Sequence, residues 1–300
     1  MGLKKYLLAV AVGYIAFLLY DTFDPASIKG KRVVITGAST GIGEQVAYQY
    51  SRLGARVLIT ARREKVLQEV VAKCKELGAQ EAFYMPLDMG KQNDTKRLID
   101  EAEARFGGLD HLILNHITNN YMKLWTGNLD KLKKTMDINF HAYVSLASYA
   151  TDMLARSKGS IAVVSSFAGK VGVPFVTEYS ASKFALHGFF YALRQEFQMQ
   201  NLGISVTTFV IGSVDTPNAI EYSKDVLYSD LFSTTSASTA HRIMTGTANR
   251  EREVFYPMHQ TLTAPLLRDY APRLLEKMMR LTVKQDLLEG ILREAQAGKN

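Results

Sequence analysis

The sequence predicts an α/β fold: a single doubly wound parallel sheet with helices on both faces. Three observations carry this expectation. Short β-rich runs alternate with helix-length segments along most of the 300 residues, as a parallel sheet with crossover helices requires. Several of the runs are continuously apolar, the pattern of strands covered on both sides. A glycine cluster separates the first run from the first helical segment, at the turn where such sheets take up ligands. A 47% hydrophobic composition is enough for a large core and excludes a disordered chain.

The elements follow in order. Strands are expected at RVVIT (32–36), RVLIT (56–60), EAFYMPL (81–87), HLILN (111–115), SIAVVSS (160–166), ISVTTFV (204–210) and, more briefly, EVFYP (253–257). Helices are expected at 42–54, 64–77, 92–106, 129–156 and 179–201. Neither repeats nor an interdomain linker interrupt them. The longest irregular stretch, about 213–235, follows the sixth strand, and a loop of that length is functional more often than idle.

The ends read differently. Residues 6–20, YLLAVAVGYIAFLLY, carry no charge and follow Lys4 and Lys5. Fifteen apolar residues fall short of the roughly 20 that span a bilayer comfortably. No small-x-small cleavage site follows, so a retained signal anchor is expected, with a cleaved signal peptide as the alternative. The flanking charges put the N-terminus in the cytosol and the remainder in the lumen. APLLRDYAPRLLEKMMRLTV (264–283) mixes Leu and Met with Arg and Lys, as an amphipathic membrane-surface helix or a dimer or core helix would. The chain thus divides into an anchor and short linker (1–24), a single folded unit (25–260) and a helical extension (261–300).

The formal charge is +7, without dense Lys or Arg runs, which argues against nucleic acid and suits an anionic ligand or a membrane surface. The single cysteine, Cys74, excludes an intramolecular disulfide and leaves the compartment open. The six histidines show no metal spacing, and His116 and His187 are expected to be structural or exposed. Asn93-Asp94-Thr95 is a glycosylation sequon, usable only in a lumenal domain; otherwise Asn93 caps a helix.

RVVITGASTGIG (32–43) places Gly37, Gly41 and Gly43 between a strand and a helix. There the backbone can approach a pyrophosphate, whose charge the helix N-terminal amides stabilise. At the end of the second strand, ITARRE, no acid precedes Glu64, whereas Arg62 and Arg63 do. A guanidinium can grip a 2′-phosphate that a carboxylate would repel. The expected cofactor is therefore NADP(H), with Arg62 ahead of Arg63. Asp88 is a candidate acceptor for the adenine amino group, and Asn115 for tying strands together behind the cofactor.

Tyr179 and Lys183 stand four residues apart on one helical face. A neighbouring ammonium would lower the tyrosine pKa from its usual value of about 10 and fit it for proton exchange. Ser166, thirteen residues before Tyr179, could hold the same substrate oxygen.

Together, TGASTGIG (36–43), Asn115 in NHI, Ser166, and Tyr179 with Lys183 resemble the short-chain dehydrogenase/reductase family over about residues 30–260. The resemblance implies a Rossmann-type fold, and it adds Asn139 in MDINF as a fourth catalytic residue where a helix bends. LILNHIT, VVSSFAGKVGVP and YSASKFALHGFF, with the lysine-flanked N-terminal segment, are similar to the type 1 and type 1-like 11β-hydroxysteroid dehydrogenase group. FDPASIKG and EVFYP look more like the type 1-like branch. That likeness implies interconversion of an 11-hydroxy- and an 11-ketosteroid, a homodimer on the helices near 129–156 and 179–201, and residence in the endoplasmic reticulum membrane; a cleaved signal would instead mean secretion. The implied cofactor set is Gly37, Ser39, Thr40, Gly41, Ile42, Gly43, Arg62, Arg63, Asp88, Met89, Asn115, His116, Ile117, Tyr179, Lys183, Gly212, Val214 and Thr216. Substrate would meet Ser166, Phe167, Val173, Tyr179 and Tyr121. Other apolar loop residues, Ile117, Leu124, Trp125, Val171, Phe175, Val226, Leu227, Tyr228, Leu231 and Phe232, would complete a pocket for a flat ligand.

Three positions depart from the group. Thr40 stands where type 1 enzymes often carry Lys beside the phosphate, Val173 stands where a substrate-contacting tyrosine is often found, and GSVDTPN looks like the general family. The alternatives are a broader carbonyl reductase or retinoid-type dehydrogenase and, from another class, a nucleotide-binding scaffold without turnover.

Overall fold

The computed structural model describes residues 23–118, 121–227 and 233–297. The expected anchor at 6–20 and the pocket residues Tyr228, Leu231 and Phe232 lie outside them. Among the described residues, no helix is long and apolar enough to cross a membrane.

Seven strands form one parallel sheet: β1 (Arg32–Thr36), β2 (Arg56–Ala61), β3 (Glu81–Pro86), β4 (His111–Leu114), β5 (Ser160–Val164), β6 (Ser205–Ile211) and β7 (Glu253–Tyr256). Their order is β3-β2-β1-β4-β5-β6-β7. The order reverses between β1 and β4, where Val33 is in register with His111 and Ile35 with Ile113. Beyond the carboxyl ends at such a switch point lies the crevice in which open α/β sheets bind ligands.

The helices are α1 (Gly41–Arg52), α2 (Glu64–Glu76), α3 (Gln92–Phe106), α4 (Leu129–Met136), α5 (Ala142–Ser157), α6 (Thr177–Met199), α7 (Pro217–Ser223) and α8 (Ser236–Ala248). Their apolar stripes cover two faces. Val33, Ile35, Val57, Ile59 and Phe209 pack on α1, α2 and α8 through Val46, Val70 and Ile243. On the other face Val34, Leu58, Leu112, Ile161 and Val206 meet Leu98, Leu146, Leu154 and Phe190 of α3, α5 and α6. This alternation along each strand is what a twofold side-chain period gives when both faces are covered.

The structure corrects two expected helices. The segment 129–156 is broken by a π-turn, Asp137–His141, with Asn139 inside it. The segment 264–283 is also two helices, α10 (Thr263–Tyr270) and α11 (Pro272–Leu281), because Pro272 cannot donate a backbone hydrogen bond to continue the first. The short α9 (Met258–Thr261) precedes them and α12 (Gln285–Ala297) follows. The fifth strand also ends earlier than expected: Ser166 is extended, but it caps a short 3₁₀ turn, Phe167–Gly169, accepting from the Ala168 amide at 3.1 Å.

Candidate active site

The glycine loop leaves β1 at the switch point. Gly37 and Gly41 have φ of +67° and +62°, which suit glycine. Gly43 is needed for closeness: a Cβ there would lie 2.3 Å from the Gly37 carbonyl oxygen and 2.6 Å from Asn115 Nδ2. The Thr40 side chain makes no capping bond, so the first amides of α1 stay open toward the loop. Asn115 Nδ2 donates to the carbonyls of Thr36 and Gly37, both at 3.2 Å. It thus ties β4 to the glycine turn. The cradle fits a dinucleotide pyrophosphate.

Arg62 lines a cleft of about 270 Å³ with Asp88, Gly90, Lys91, Lys133 and Lys134. Among the described residues nothing hydrogen-bonds or ion-pairs its guanidinium. Arg63 instead turns back, donating to the Ser39 hydroxyl at 3.0 Å and the Ser39 carbonyl at 3.3 Å. Asp88 Oδ1 accepts from the Gly90 amide at 3.0 Å while it lines the same cleft.

Other expected cofactor residues are placed less directly. His116 is buried with both ring nitrogens occupied, Nδ1 by Thr36 Oγ1 and Nε2 by the Ile138 carbonyl, each at 2.9 Å. Its side chain is therefore structural, and burial pushes it down to about 3. Met89 is buried in the core, and Ile117 is exposed. Ile42 is half-buried against the core beneath α1. Gly212 is closely backed by Gln260: a Cβ there would lie 2.3 Å from Gln260 Oε1. Thr216 caps α7 through the Ala219 amide at 3.2 Å, and its Cγ2 leans on Gly41. Val214 bridges to Thr234 beside it.

Tyr179, Lys183, Ser166 and Asn139 are brought together where α6 passes the end of β5. Lys183 is 1% exposed, and its ammonium donates to the Val164 carbonyl at 2.8 Å. It lies 5.5 Å from the Tyr179 ring centroid and 5.3 Å from that of Tyr143. Asn139 is fully buried; its Oδ1 accepts from the Thr118 amide at 2.8 Å and its Nδ2 donates to Ser182 Oγ at 3.3 Å. The Ser182 hydroxyl in turn donates to the Tyr179 carbonyl at 2.8 Å. Glu178, next to Tyr179, is buried and paired with Lys131 of α4 at 2.6 Å.

The electrostatics correct the expected tuning. Burial pushes the Tyr179 phenol up, and the neighbouring Ser166 hydroxyl pulls only partly against it. Lys183 moves the other way: burial pushes its ammonium down to about 7. Desolvation disfavours both charged forms here, and it outweighs the attraction of ammonium for phenolate.

The segment that joins Ser166 to Tyr179 carries apolar side chains in two small clusters. Phe167 and Val173 are half-buried and pack with Val171 against Ala264, Leu267, Leu275 and Met279 of α10 and α11. Phe175 and Val226 form a second cluster with Val283, joined by Leu227. Tyr121, 46% exposed, packs against Tyr222 of α7 with ring centroids 4.4 Å apart and planes tilted by 55°, and Leu124 and Trp125 are exposed nearby in sequence. Among the described residues, no group of His, Cys, Asp and Glu side chains is arranged to hold a metal ion.

Comparison with known proteins fits this geometry. A family model described as short chain dehydrogenase matches residues 31–227. The chain is 45% identical over 243 residues to the hydroxysteroid 11-beta-dehydrogenase 1-like protein of Gallus gallus, covering 81% of this chain and 84% of that one. It is 43% identical over 278 residues to the Danio rerio protein of the same name, covering 92% and 96%. Among solved structures, a short chain dehydrogenase/reductase from Burkholderia phymatum in complex with NAD aligns with TM-score 0.74 at 18% identity, covering 83% of this chain and 96% of that one. An alcohol dehydrogenase from the archaeon Thermococcus sibiricus, complexed with 5-hydroxy-NADP, aligns with TM-score 0.64 at 22% identity, over 76% and 96%.

Proposed function

The chain belongs to the short-chain dehydrogenase family, and on that premise we propose that it is an NADP(H)-dependent oxidoreductase interconverting an 11-hydroxysteroid and the corresponding 11-ketosteroid. The observation that carries this reading is the meeting of Ser166, Tyr179, Lys183 and Asn139 beneath an apolar mouth, with Arg62 turned into the cleft beside Asp88. The names of the relatives at 43–45% identity support the steroid.

The nicotinamide, when bound, supplies or receives hydride. The chain's own residues do the rest. The open amides at Gly41–Gly43 bind the pyrophosphate, and Arg62 takes the 2′-phosphate. Ser166 Oγ holds the reacting oxygen of the steroid. Tyr179 Oη gives that oxygen a proton in reduction and takes one in oxidation. Because burial makes phenolate costly, Tyr179 stays protonated and ready to donate. Lys183, titrating near neutrality, is suited to restoring that proton. Asn139 fixes the backbone at Thr118 and, through Ser182, at Tyr179. Val171, Val173 and Phe167 exclude water from one wall.

We read residues 6–20 as an anchor in the endoplasmic reticulum membrane and the remainder as lumenal. The exposed Tyr149 and Phe184 of α5 and α6 suit a homodimer on those helices. A second reading, a broader carbonyl reductase or retinoid-type dehydrogenase, is favoured by Val173, whose apolar side chain offers no hydrogen bond to a steroid. The deciding experiment compares NADP(H) with NAD(H), using cortisol and cortisone, with Tyr179→Phe as control. Expected are NADP(H)-dependent turnover at C11 and a loss of about 10²–10⁴-fold in the variant, with NADPH still bound. Turnover of retinal or quinones but of neither steroid would select the second reading.

A further inference from the structure

The fourfold spacing of Tyr179 and Lys183 continues along α6 to His187 and Tyr191. One and two turns beyond the lysine, these two join a polar cluster that the chemistry above does not use. His187 Nε2 lies 2.9 Å from Ser165 Oγ, at the end of β5. His187 Nδ1 lies 2.8 Å from Tyr191 Oη. Tyr191 donates to Glu253 of β7 and accepts from Lys170, and Lys170 pairs with Glu253 at 2.8 Å. Ser165 and His187 are 3% and 5% exposed. Gly169 closes the cluster from above: a Cβ there would lie 2.8 Å from both Ser165 Oγ and His187 Cδ2.

Donor and acceptor chemistry leaves one arrangement of protons. The single proton of Tyr191 goes to the Glu253 carboxylate, so the phenol oxygen can only accept from the histidine. Burial, with the charges of Lys170 and Lys183, keeps His187 neutral by pushing it down to about 3. A neutral imidazole has one N–H, so Nδ1 donates to Tyr191 and Nε2 must accept. Ser165 is therefore the donor, and its hydroxyl is committed away from the reacting centre.

Two parts of the site hang from this chain of bonds. In an extended segment successive side chains project to opposite sides. Pinning Ser165 therefore sets the direction of Ser166, whose φ and ψ are −148° and 160°. Lys170 sits within the segment that joins Ser166 to Tyr179, and its backbone carbonyl accepts from Arg268 of α10. Holding its ammonium at Tyr191 and Glu253 holds the same segment that carries Phe167, Val171 and Val173.

We propose that His187 is a positioning residue for the reaction: through Ser165 on one side and Tyr191, Glu253 and Lys170 on the other, it sets the Ser166 hydroxyl and the 167–173 segment over the site. The inference goes beyond the proposed function, because it holds whichever carbonyl compound is reduced.

The test uses the full-length chain with His187→Leu, Ser165→Ala, the double variant and His187→Gln. Reduction of cortisone and of phenanthrenequinone is followed by NADPH oxidation, NADPH affinity by fluorescence titration, and backbone order by amide exchange. Expected is a fall in kcat of about tenfold for His187→Leu, the scale of one buried hydrogen bond, with NADPH affinity within about twofold. Ser165→Ala, which removes the Ser165–His187 bond but leaves the His187–Tyr191 bond, should lose part of that factor, and the double variant no more than His187→Leu, which already removes the shared bond. His187→Gln, whose amide oxygen can still accept from Ser165, should recover part of the rate. Amide exchange in 166–173 should quicken while α1 is unchanged. An unaltered kcat, losses that multiply in the double variant, or an effect confined to NADPH affinity would each overturn the proposal. If the wild-type chain reduces neither compound, the functional reading fails, and the exchange rates alone decide: unaltered exchange in 166–173 would then overturn the positioning role.

Discussion

Replacing Lys183 with methionine should remove a pH dependence of stability that this one side chain creates. The ammonium is 1% exposed, and burial lowers it from 10.5 to about 7. Between those values the unfolded chain holds the proton and the folded chain gives it up. The unfolded state therefore binds more protons, and stability rises with pH through the window. Below about 7 the residue is protonated in both states and the slope disappears. Near the middle of the window the slope is about 1.4 kcal/mol per pH unit, so pH 7.5 to 9.5 should span about 2.5 kcal/mol. Methionine fills a similar volume without a charge. It leaves the Val164 carbonyl without the lysine donor, a penalty of about 1 kcal/mol that does not vary with pH. The assay is urea unfolding of the cofactor-free wild type and Lys183→Met at pH 6.5, 7.5, 8.5 and 9.5. The wild type should gain on the variant steadily above pH 7.5, the two differing by a constant below about 7. Parallel stabilities across the series would refute the argument that desolvation governs this lysine. A wild type losing ground to the variant as pH rises would mean that its pKa is raised by a charged partner.

Arg62→Ala should reduce the preference for NADP(H) over NAD(H) by about 10–100-fold, the scale of charge-assisted hydrogen bonds, while Arg63→Ala has a smaller effect because Arg63 is engaged with Ser39; ratios of kcat/KM measure both. Gly43→Ala should abolish NADPH binding and cost about 1–3 kcal/mol, since the added methyl meets the fixed Gly37 carbonyl rather than a movable side chain. Gly188→Ala, with open space around the added carbon, should instead stabilise by about 0.5–1 kcal/mol in thermal or urea unfolding. Asn139→Ala should cost about 1–3 kcal/mol by stranding the Thr118 amide, and kcat should fall with it.

Much of the fold and the cluster of chemical groups was legible because it rests on local pattern. The runs at RVVIT and RVLIT are paired residue for residue, Arg32 with Arg56 through Thr36 with Thr60. The glycines at 37, 41 and 43 and the Tyr179–Lys183 spacing also survive translation into three dimensions. What escaped depends on groups far apart in the chain. The sign of the Tyr179 shift reflects desolvation by packing that no four-residue spacing encodes. His187 was expected to be structural or exposed, and its position four beyond Lys183 was the available signal. Its partners Ser165, Lys170 and Glu253 come from β5, the following loop and β7, so only the assembled sheet brings them together. The break between α10 and α11 was the opposite case: Pro272 announced it, and the amphipathic pattern running through 264–283 concealed it.

Val171 and Phe167 pack against residues that follow them by about a hundred positions, Ala264, Leu267 and Leu275. One wall of the proposed mouth is therefore contributed by α10 and α11. A shortened form ending before Thr263 would keep the sheet, the glycine cradle and the Tyr179–Lys183 pair, yet present a wider, wetter opening. On the proposed function, the proton-handling groups and the wall that selects what reaches them would thus be separable by truncation. Screens for altered selectivity have a natural target in α10 and α11, remote in sequence from Ser166, Tyr179 and Lys183.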